Sequence, residues 1–115
     1  MSIRILKILN SVSEGWTVEH KFNSLRKFKF DFAHLRMRVA VEIEGGVYTG
    51  TGHAKTGRYL SDMEKYNDAQ LRGWIVLRYA TGQKDKIPND IKRAIEKREK
   101  ERIEKEKLIE KDKTI

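Results

Sequence analysis

Three carboxylates interrupt two apolar strands of the predicted sheet. In residues 28–32, Phe-Lys-Phe-Asp-Phe, the phenylalanines alternate with polar residues, and in residues 39–44, Val-Ala-Val-Glu-Ile-Glu, aliphatic residues alternate with acids. Because successive side chains of a strand point to opposite faces, we expect the three rings to share one face and Asp31 to lie on the other, with Glu42 and Glu44 together. Acids are depleted in strands and rarely buried unless they are paired or bound to a cation. The pattern therefore predicts a metal site built from Asp31, Glu42 and Glu44.

The overall charge of the chain has the opposite sign to this acidic group. The chain has 115 residues, enough for one domain with a modest core, and a formal net charge of +8 with 37% charged residues. A basic protein that concentrates acids in one place is typical of a polyanionic partner combined with a divalent cation. We therefore expect a polyanionic partner such as nucleic acid, together with a divalent cation.

The chain contains no cysteine, which excludes disulfides and thiolate metal sites. This composition fits a reducing cytoplasm. The sequence shows no apolar run long enough to span a membrane and no signal peptide, so we expect a cytoplasmic protein without a membrane partner.

Periodicity and glycine signals predict the elements that must position the acids. The hydrophobic pattern predicts the order αβββαβ, with a short hairpin link at His34 and Leu35, a loop with five glycines at residues 45–57, and a C-terminal helix. Residues 74–79, Trp-Ile-Val-Leu-Arg-Tyr, are predicted to be a buried strand that follows a helical crossover beside a central strand. The expected fold class is α/β (α+β) with a mixed central sheet. The predicted elements are a helix at 3–12, strands at 16–22, 27–33 and 36–44, a helix at 58–72 ended by Gly73, and the strand at 74–79.

The C-terminal tail has a nearly balanced charge. Residues 88–115 hold ten basic and eight acidic residues, whereas residues 1–87 hold fifteen and nine, so the excess positive charge lies on the compact part. We therefore divide the chain into a core domain at 1–87 and a charged helix at 88–115. The tail has favourable i,i+4 ion pairs and a broken apolar stripe. It is either a solvated helix packed on the domain near its start or a helix that contributes to a homodimer.

The ordered set of motifs between residues 16 and 79 resembles the PD-(D/E)XK nuclease superfamily, and in particular its very-short-patch-repair-like branch and small phage-borne endonucleases. This resemblance implies a PD-(D/E)XK-like αβββαβ core and a magnesium-dependent endodeoxyribonuclease. The motif lysine is replaced by Glu44. The matching pieces are Asp31-Phe32-Ala33, Glu42-Ile43-Glu44-Gly45-Gly46, His53, Asp62 with Lys65, and Gly73-Trp74-Ile75-Val76-Leu77-Arg78-Tyr79.

The resemblance also implies a role for each site residue. Asp31, Glu42 and the backbone carbonyl of Ile43 would bind Mg²⁺ or Mn²⁺, and Glu44 would bind it directly or through water. Lys65 is the first candidate to replace the motif lysine and face the phosphate, with Lys55 as the second. Glu19 would hold a metal-bound water. His53 would orient water or protonate the leaving group.

Other interpretations of these residues stay open. Glu19 could pair with Lys21 or Lys29, Asp62 could be an acid that favours a helix N-terminus, and His53 and Lys65 could be solvated surface residues. The alternatives for the whole protein are a Holliday junction resolvase acting as a homodimer, a structural protein held by its tail helix, and a non-catalytic nucleic-acid-binding protein. The binding protein would present a phosphate-facing surface made of Lys21, Arg26, Lys27, Lys29, Arg36 and Arg38.

Overall fold

The computed structural model describes residues 2–44 and 56–113, and these form three α-helices, a 3₁₀ helix and four strands. The strands belong to one mixed sheet, and the last helix is the longest element. In chain order the elements are α1 (Ser2–Val12), β1 (Trp16–Lys21), β2 (Lys29–His34), β3 (Val39–Glu44), α2 (Thr56–Leu71), β4 (Ile75–Ala80), the 3₁₀ helix (Thr81–Lys86) and α3 (Ile87–Lys113).

The sheet has the strand order β1-β2-β3-β4, with β1–β2 and β2–β3 antiparallel and β3–β4 parallel. The parallel pair requires the crossover that α2 supplies. The predicted αβββαβ order, the β2–β3 hairpin and the mixed sheet are confirmed. None of the helices in the described residues combines the length and apolar content needed to cross a membrane.

Helices cover both faces of the sheet. On one face, Val39 and Val41 of β3 pack with Ile5 of α1 and with Ile87 and Ile91 of α3 in the larger core cluster. On the other face, Ala69 of α2 packs in a smaller cluster against β2 and β3, together with Phe30, Ala33 and Ala40. The alternation predicted for β3 is confirmed, because its valines face α1 and α3 while Glu42 faces α2.

The predicted alternation of the phenylalanines is wrong. Phe30 is buried in the α2 cluster, where it stacks on Phe22, whereas Phe32 is buried in the cluster of α1 and α3. The exchange of faces occurs at Asp31, where the β1–β2 ladder lacks its pair with Glu19 and Glu19 has a left-handed φ of 49°. Local distortion of the strand pair therefore overrides the period of two.

The hairpin link and β4 also differ from expectation. Residues 35–38 form a turn in which Arg38 has a φ of 54°, so β3 begins at Val39 rather than at residue 36. The Met37 N–H donates to His34 Nδ1 across this turn, at 3.2 Å. β4 pairs with β3 as expected, but it forms the edge of the sheet, and only Tyr79 is fully buried on it.

Glycine ends α2 as the sequence predicted. Gly73 has a φ of 84°, its N–H donates to Gln70 O, and the Trp74 N–H donates to Ala69 O. This hydrogen-bond pair is the Schellman arrangement that favours glycine. It sets the position at which β4 starts beside β3. At the other end of the chain, α3 is buried only near its start, and its exposed remainder extends to Lys113.

Candidate functional site

Asp31 and Glu42 converge where β2 and β3 stop pairing. The ladder joins Phe32–His34 to Val39–Val41 and ends there. Beyond it, the Asp31 N–H donates to Glu42 Oε2 at 2.7 Å, and the Ile43 N–H donates to Asp31 Oδ2 at 2.8 Å. Each carboxylate thus replaces a backbone acceptor of the opposite strand. The predicted convergence of these two acids on adjacent strands is confirmed.

Lys65 joins this pair from α2. Its Nζ forms an ion pair with Glu42 Oε1, and the two side chains are only 14% and 4% exposed. Ala69 lies one turn further along the helix and is fully buried against the sheet. Residues four apart on a helix share a face. The packing of Ala69 therefore directs Lys65 towards Glu42.

Burial is the largest influence on the pKa of Glu42. Removal from water raises the pKa of this carboxyl above its ordinary value of 4.5, and the hydrogen bond and charge of Lys65 oppose that rise. Asp31 adds a second negative charge that also favours the protonated form. The site therefore places a buried acid beside an exposed acid and a lysine, so a cation near Asp31 would favour the ionised form of Glu42.

Glu44 is held by a second set of partners. Arg78 of β4 donates to its Oε1 from Nε at 2.6 Å, and the Tyr66 hydroxyl lies 3.2 Å from the same oxygen. Tyr66 also lies 3.4 Å from Glu42 Oε1, and the Arg78 guanidinium sits 4.1 Å from the centre of the Tyr66 ring. Burial and the neighbouring Glu42 charge raise the pKa of Tyr66, so it stays a neutral hydrogen-bond donor.

Tyr66 and Arg78 are site residues whose contacts the sequence did not predict. Arg78 was noted only as part of the strand motif. The sequence did hold a signal for Tyr66, because it follows Asp62 by four residues and residues four apart on a helix share a face. The contact of Arg78 with Glu44 had no such signal, because it depends on the parallel register of β3 and β4.

The other candidate residues are spread around the acids. Glu19 is exposed on β1 and forms no ion pair or hydrogen bond with a described residue, whereas Asp62 is half-buried on α2. The Ile43 N–H points towards Asp31, and in a strand the carbonyl of a residue leaves on the same side as its N–H. Ile43 is therefore oriented as its expected role requires. His53 and Lys55 lie outside the described residues.

Among the described acids, Asp31 and Glu42 are the two whose contacts join the facing strands β2 and β3. Within residues 2–44 and 56–113 no cluster of three acidic or histidine side chains is close enough to hold a metal ion. Glu44 is instead paired with Arg78. Mg²⁺ commonly binds one or two carboxylates and keeps several water ligands, so Asp31 and Glu42 fit such an ion.

A basic cleft of about 580 Å³ opens beside Lys65. Three more lysines line it, from the end of β1, the start of β2 and the segment just before β2, and Asp62 is the one acid among the described lining residues. Phe28 and Ser61 complete the lining. The acid pair therefore has concentrated positive charge on the side where Lys65 lies.

Comparison of the chain with protein-family models, curated proteins and solved structures found no match.

Proposed function

We propose that this protein is a metal-dependent endonuclease that hydrolyses DNA phosphodiester bonds, with Asp31, Glu42 and Lys65 at its centre. The observation that carries this proposal is the meeting of two carboxylates from adjacent strands with one lysine from the crossover helix. A purely structural ion pair would need one acid and one base. The second acid, Asp31, is exposed at the same point, where it is available to a cation and a substrate.

The order of elements supports the PD-(D/E)XK-like interpretation. In the resemblance described above, the two acids lie on neighbouring strands, and the lysine follows them. Here Glu44 occupies the usual lysine position, while Lys65 supplies a positive charge from α2 and contacts Glu42 directly. The proposed substitution of the motif lysine by Lys65 therefore agrees with its contacts.

Asp31, Glu42 and the Ile43 carbonyl would hold Mg²⁺ or Mn²⁺. Such an ion supplies Lewis acidity and lowers the pKa of a bound water. Lys65 compensates the buried Glu42 charge in the metal-free protein and would face the negative phosphate when substrate binds. Tyr66 and Arg78 hold Glu44 beside the centre. We also propose a cytoplasmic location, with which the cysteine-free composition agrees.

The test is cleavage of labelled plain, nicked, flap and four-way-junction DNA in Mg²⁺ and in Mn²⁺, with EDTA as the metal-free arm. We expect Glu42→Gln and Asp31→Asn each to reduce cleavage by at least about 100-fold with the fold retained, because each removes a ligand charge at nearly constant volume. Glu64→Gln is the matched control, since Glu64 is exposed and pairs only with Arg26.

The results separate the alternatives. Near-normal cleavage by either acid variant would contradict the assignment of the centre. Binding of DNA by the wild type without cleavage in any metal would favour a non-catalytic binding protein. Preference for the four-way junction together with a homodimer in solution would favour a junction resolvase, which needs two active sites.

A further inference from the structure

Like charges face each other at the end of the β1–β2 hairpin that leads into its connecting loop, residues 22–28. Lys21 and Lys29 are direct cross-strand partners, and Lys27 lies just before β2. All three are exposed and line the 580 Å³ cleft that Lys65 also lines. Like charges directly opposite each other destabilise an antiparallel pair. This arrangement therefore lowers the stability of the hairpin, and a bound anion would reduce the repulsion between the lysines.

Within the part of the chain that the structure describes, the charge of these three lysines has no partner. None of them forms an ion pair or a hydrogen bond through its side chain with any residue in the described ranges. Among the described residues that line the cleft, Asp62 is the one acid. One acid does not neutralise three lysines. The cleft therefore has a net positive charge even when Lys65, which is paired with Glu42, is left out.

A second cleft, of about 500 Å³, provides an internal comparison. It also contains three cations, but all of them are occupied. Arg78 is paired with Glu44, Lys97 with Glu101, and Arg98 with backbone carbonyl groups. Of these two clefts, the first is therefore the one whose lysines, apart from Lys65, are available to a ligand.

The first cleft is linked to the acid pair through Lys65. Lys65 lines the cleft and contacts Glu42, so a chain of phosphates seated among the lysines would reach the proposed centre. Successive lysines along a hairpin end suit a ligand with repeated single charges, and a phosphodiester backbone has that character. The exposed Ser61 hydroxyl adds a neutral donor that can bind a phosphate oxygen.

We propose that Lys21, Lys27 and Lys29 form a phosphate-binding subsite for the nucleic-acid strand next to the bond that is cut. Cleavage of a neighbouring bond depends on the proposed nuclease function. Binding of the phosphate backbone by the three lysines does not depend on it. The subsite contacts the backbone and reads no bases, so it binds without sequence preference.

The binding test is done in EDTA, so that no metal contributes. Labelled single-stranded DNA of about 20 nucleotides and the corresponding duplex are titrated against the wild type and against Lys21→Gln/Lys29→Gln. The control is Lys7→Gln/Lys92→Gln, which removes the same charge from exposed lysines of α1 and α3, the helices on the other face of the sheet.

We expect the hairpin variant to bind at least about tenfold more weakly and its log–log salt slope to fall by roughly 0.7 per lysine for the single strand or 0.9 for the duplex. Its melting temperature should rise, because the cross-strand repulsion is gone. Equal affinities and slopes for the hairpin variant and the control variant would overturn the subsite.

A cleavage measurement distinguishes failure of the subsite from failure of the nuclease proposal. With active enzyme, the hairpin variant should raise KM with little change in kcat, since it removes backbone binding away from the acids. Glu42→Gln should lose cleavage while it still binds DNA. A lower kcat with unchanged KM in the hairpin variant would contradict the subsite. Weaker DNA binding by that variant would support the subsite even if neither the wild type nor any variant cleaves DNA.

Discussion

At the scale of single residues, the buried ion pair between Lys65 and Glu42 is sensitive to the loss of either partner. Removing one member of a buried pair leaves the other charge without compensation, at a cost of roughly 3–5 kcal/mol. Replacing both members avoids most of that cost. The same two residues lie at the centre of the proposed chemistry, so stability and function must be measured separately.

We predict that Lys65→Met lowers the free energy of unfolding by about 3 kcal/mol and that Lys65→Met/Glu42→Gln recovers a large part of the loss. Urea unfolding of the wild type, the two single variants and the double variant measures the coupling. Lys92→Met, at an exposed position of α3, should change stability by less than about 0.5 kcal/mol. Additive single effects would show that the pair does not interact.

The raised pKa of Glu42 predicts a pH dependence. A carboxyl whose pKa is higher in the folded protein than in the unfolded chain favours folding when it is protonated. Its stabilising effect is therefore complete below the ordinary value of 4.5 and is lost as pH rises through the raised value. In EDTA, the stability of the wild type relative to Glu42→Gln should increase as pH falls from about 8 towards that ordinary value. A constant difference across this range would contradict the effect of burial.

At the scale of elements, connections decide how the helices meet the sheet. Gly15 joins α1 to β1 with a φ of 104°, and a Cβ at this position would lie 3.1 Å from His34 Nε2. That ring nitrogen donates to Glu14 O at 2.8 Å, while Nδ1 accepts the Met37 N–H. One histidine therefore joins the α1–β1 connection to the turn between β2 and β3.

We predict that Gly15→Ala costs about 1–3 kcal/mol, because it combines left-handed backbone strain with a contact that displaces His34. Gly82→Ala is the control, since a Cβ there would meet no atom within 4 Å. Thermal unfolding measures both. A melting temperature for Gly15→Ala equal to that of Gly82→Ala would show that the connection adapts without cost.

Arg98 attaches α3 to the segments that lead into β3 and into β4. Its guanidinium donates to Met37 O at 2.7 Å, to Arg38 O at 3.1 Å and to Gly73 O at 2.6 Å. These carbonyl groups belong to segments that are 35 residues apart in the chain, and only a planar group with several donors can reach all of them.

We expect Arg98→Lys to cost about 1–3 kcal/mol, because a lysine cannot satisfy the three carbonyl groups together. Arg102→Lys is the matched control, since Arg102 pairs only with the exposed Glu99 and Glu106. Chemical unfolding with both variants is the measurement. Equal stability for the two would remove the assigned role of Arg98. A truncation that keeps residues 1–104 should likewise be more stable than one that ends at residue 96.

At the scale of the whole molecule, positive charge and the acid pair make opposite contributions to DNA binding. The net charge of +8 attracts phosphate, whereas Asp31, Glu42 and Glu44 repel it until a cation is present. Ca²⁺ is a suitable probe, because it is a hard cation that binds carboxylates.

We predict that DNA affinity falls steeply with salt and rises when Ca²⁺ is added at constant ionic strength. Titration of linear duplex and four-way junction with and without Ca²⁺ tests both statements. Glu42→Gln should weaken the Ca²⁺ effect, while Glu64→Gln should leave it unchanged, since Glu64 pairs with Arg26 away from the acid pair. Absence of any Ca²⁺ effect in the wild type would argue against a cation site between the acids and DNA.

The amino-acid sequence by itself determined the features that depend on neighbouring residues. The order of the elements, the shared face of Glu42 and Glu44 and the end of α2 at Gly73 all followed from hydrophobic period and backbone preference. These features could be predicted because a few adjacent side chains suffice to decide them.

Only the tertiary structure decided which distant groups meet. The exchange of faces between Phe30 and Phe32 arises where β2 loses its pairing on both sides at Asp31, which the period of two could not show. The contact of Arg78 with Glu44 and the opposition of Lys21 and Lys29 depend on strand register, and the edge position of β4 depends on strand order. Register and order are set by packing of the complete sheet against its helices, because local backbone preference is the same for many alternative pairings.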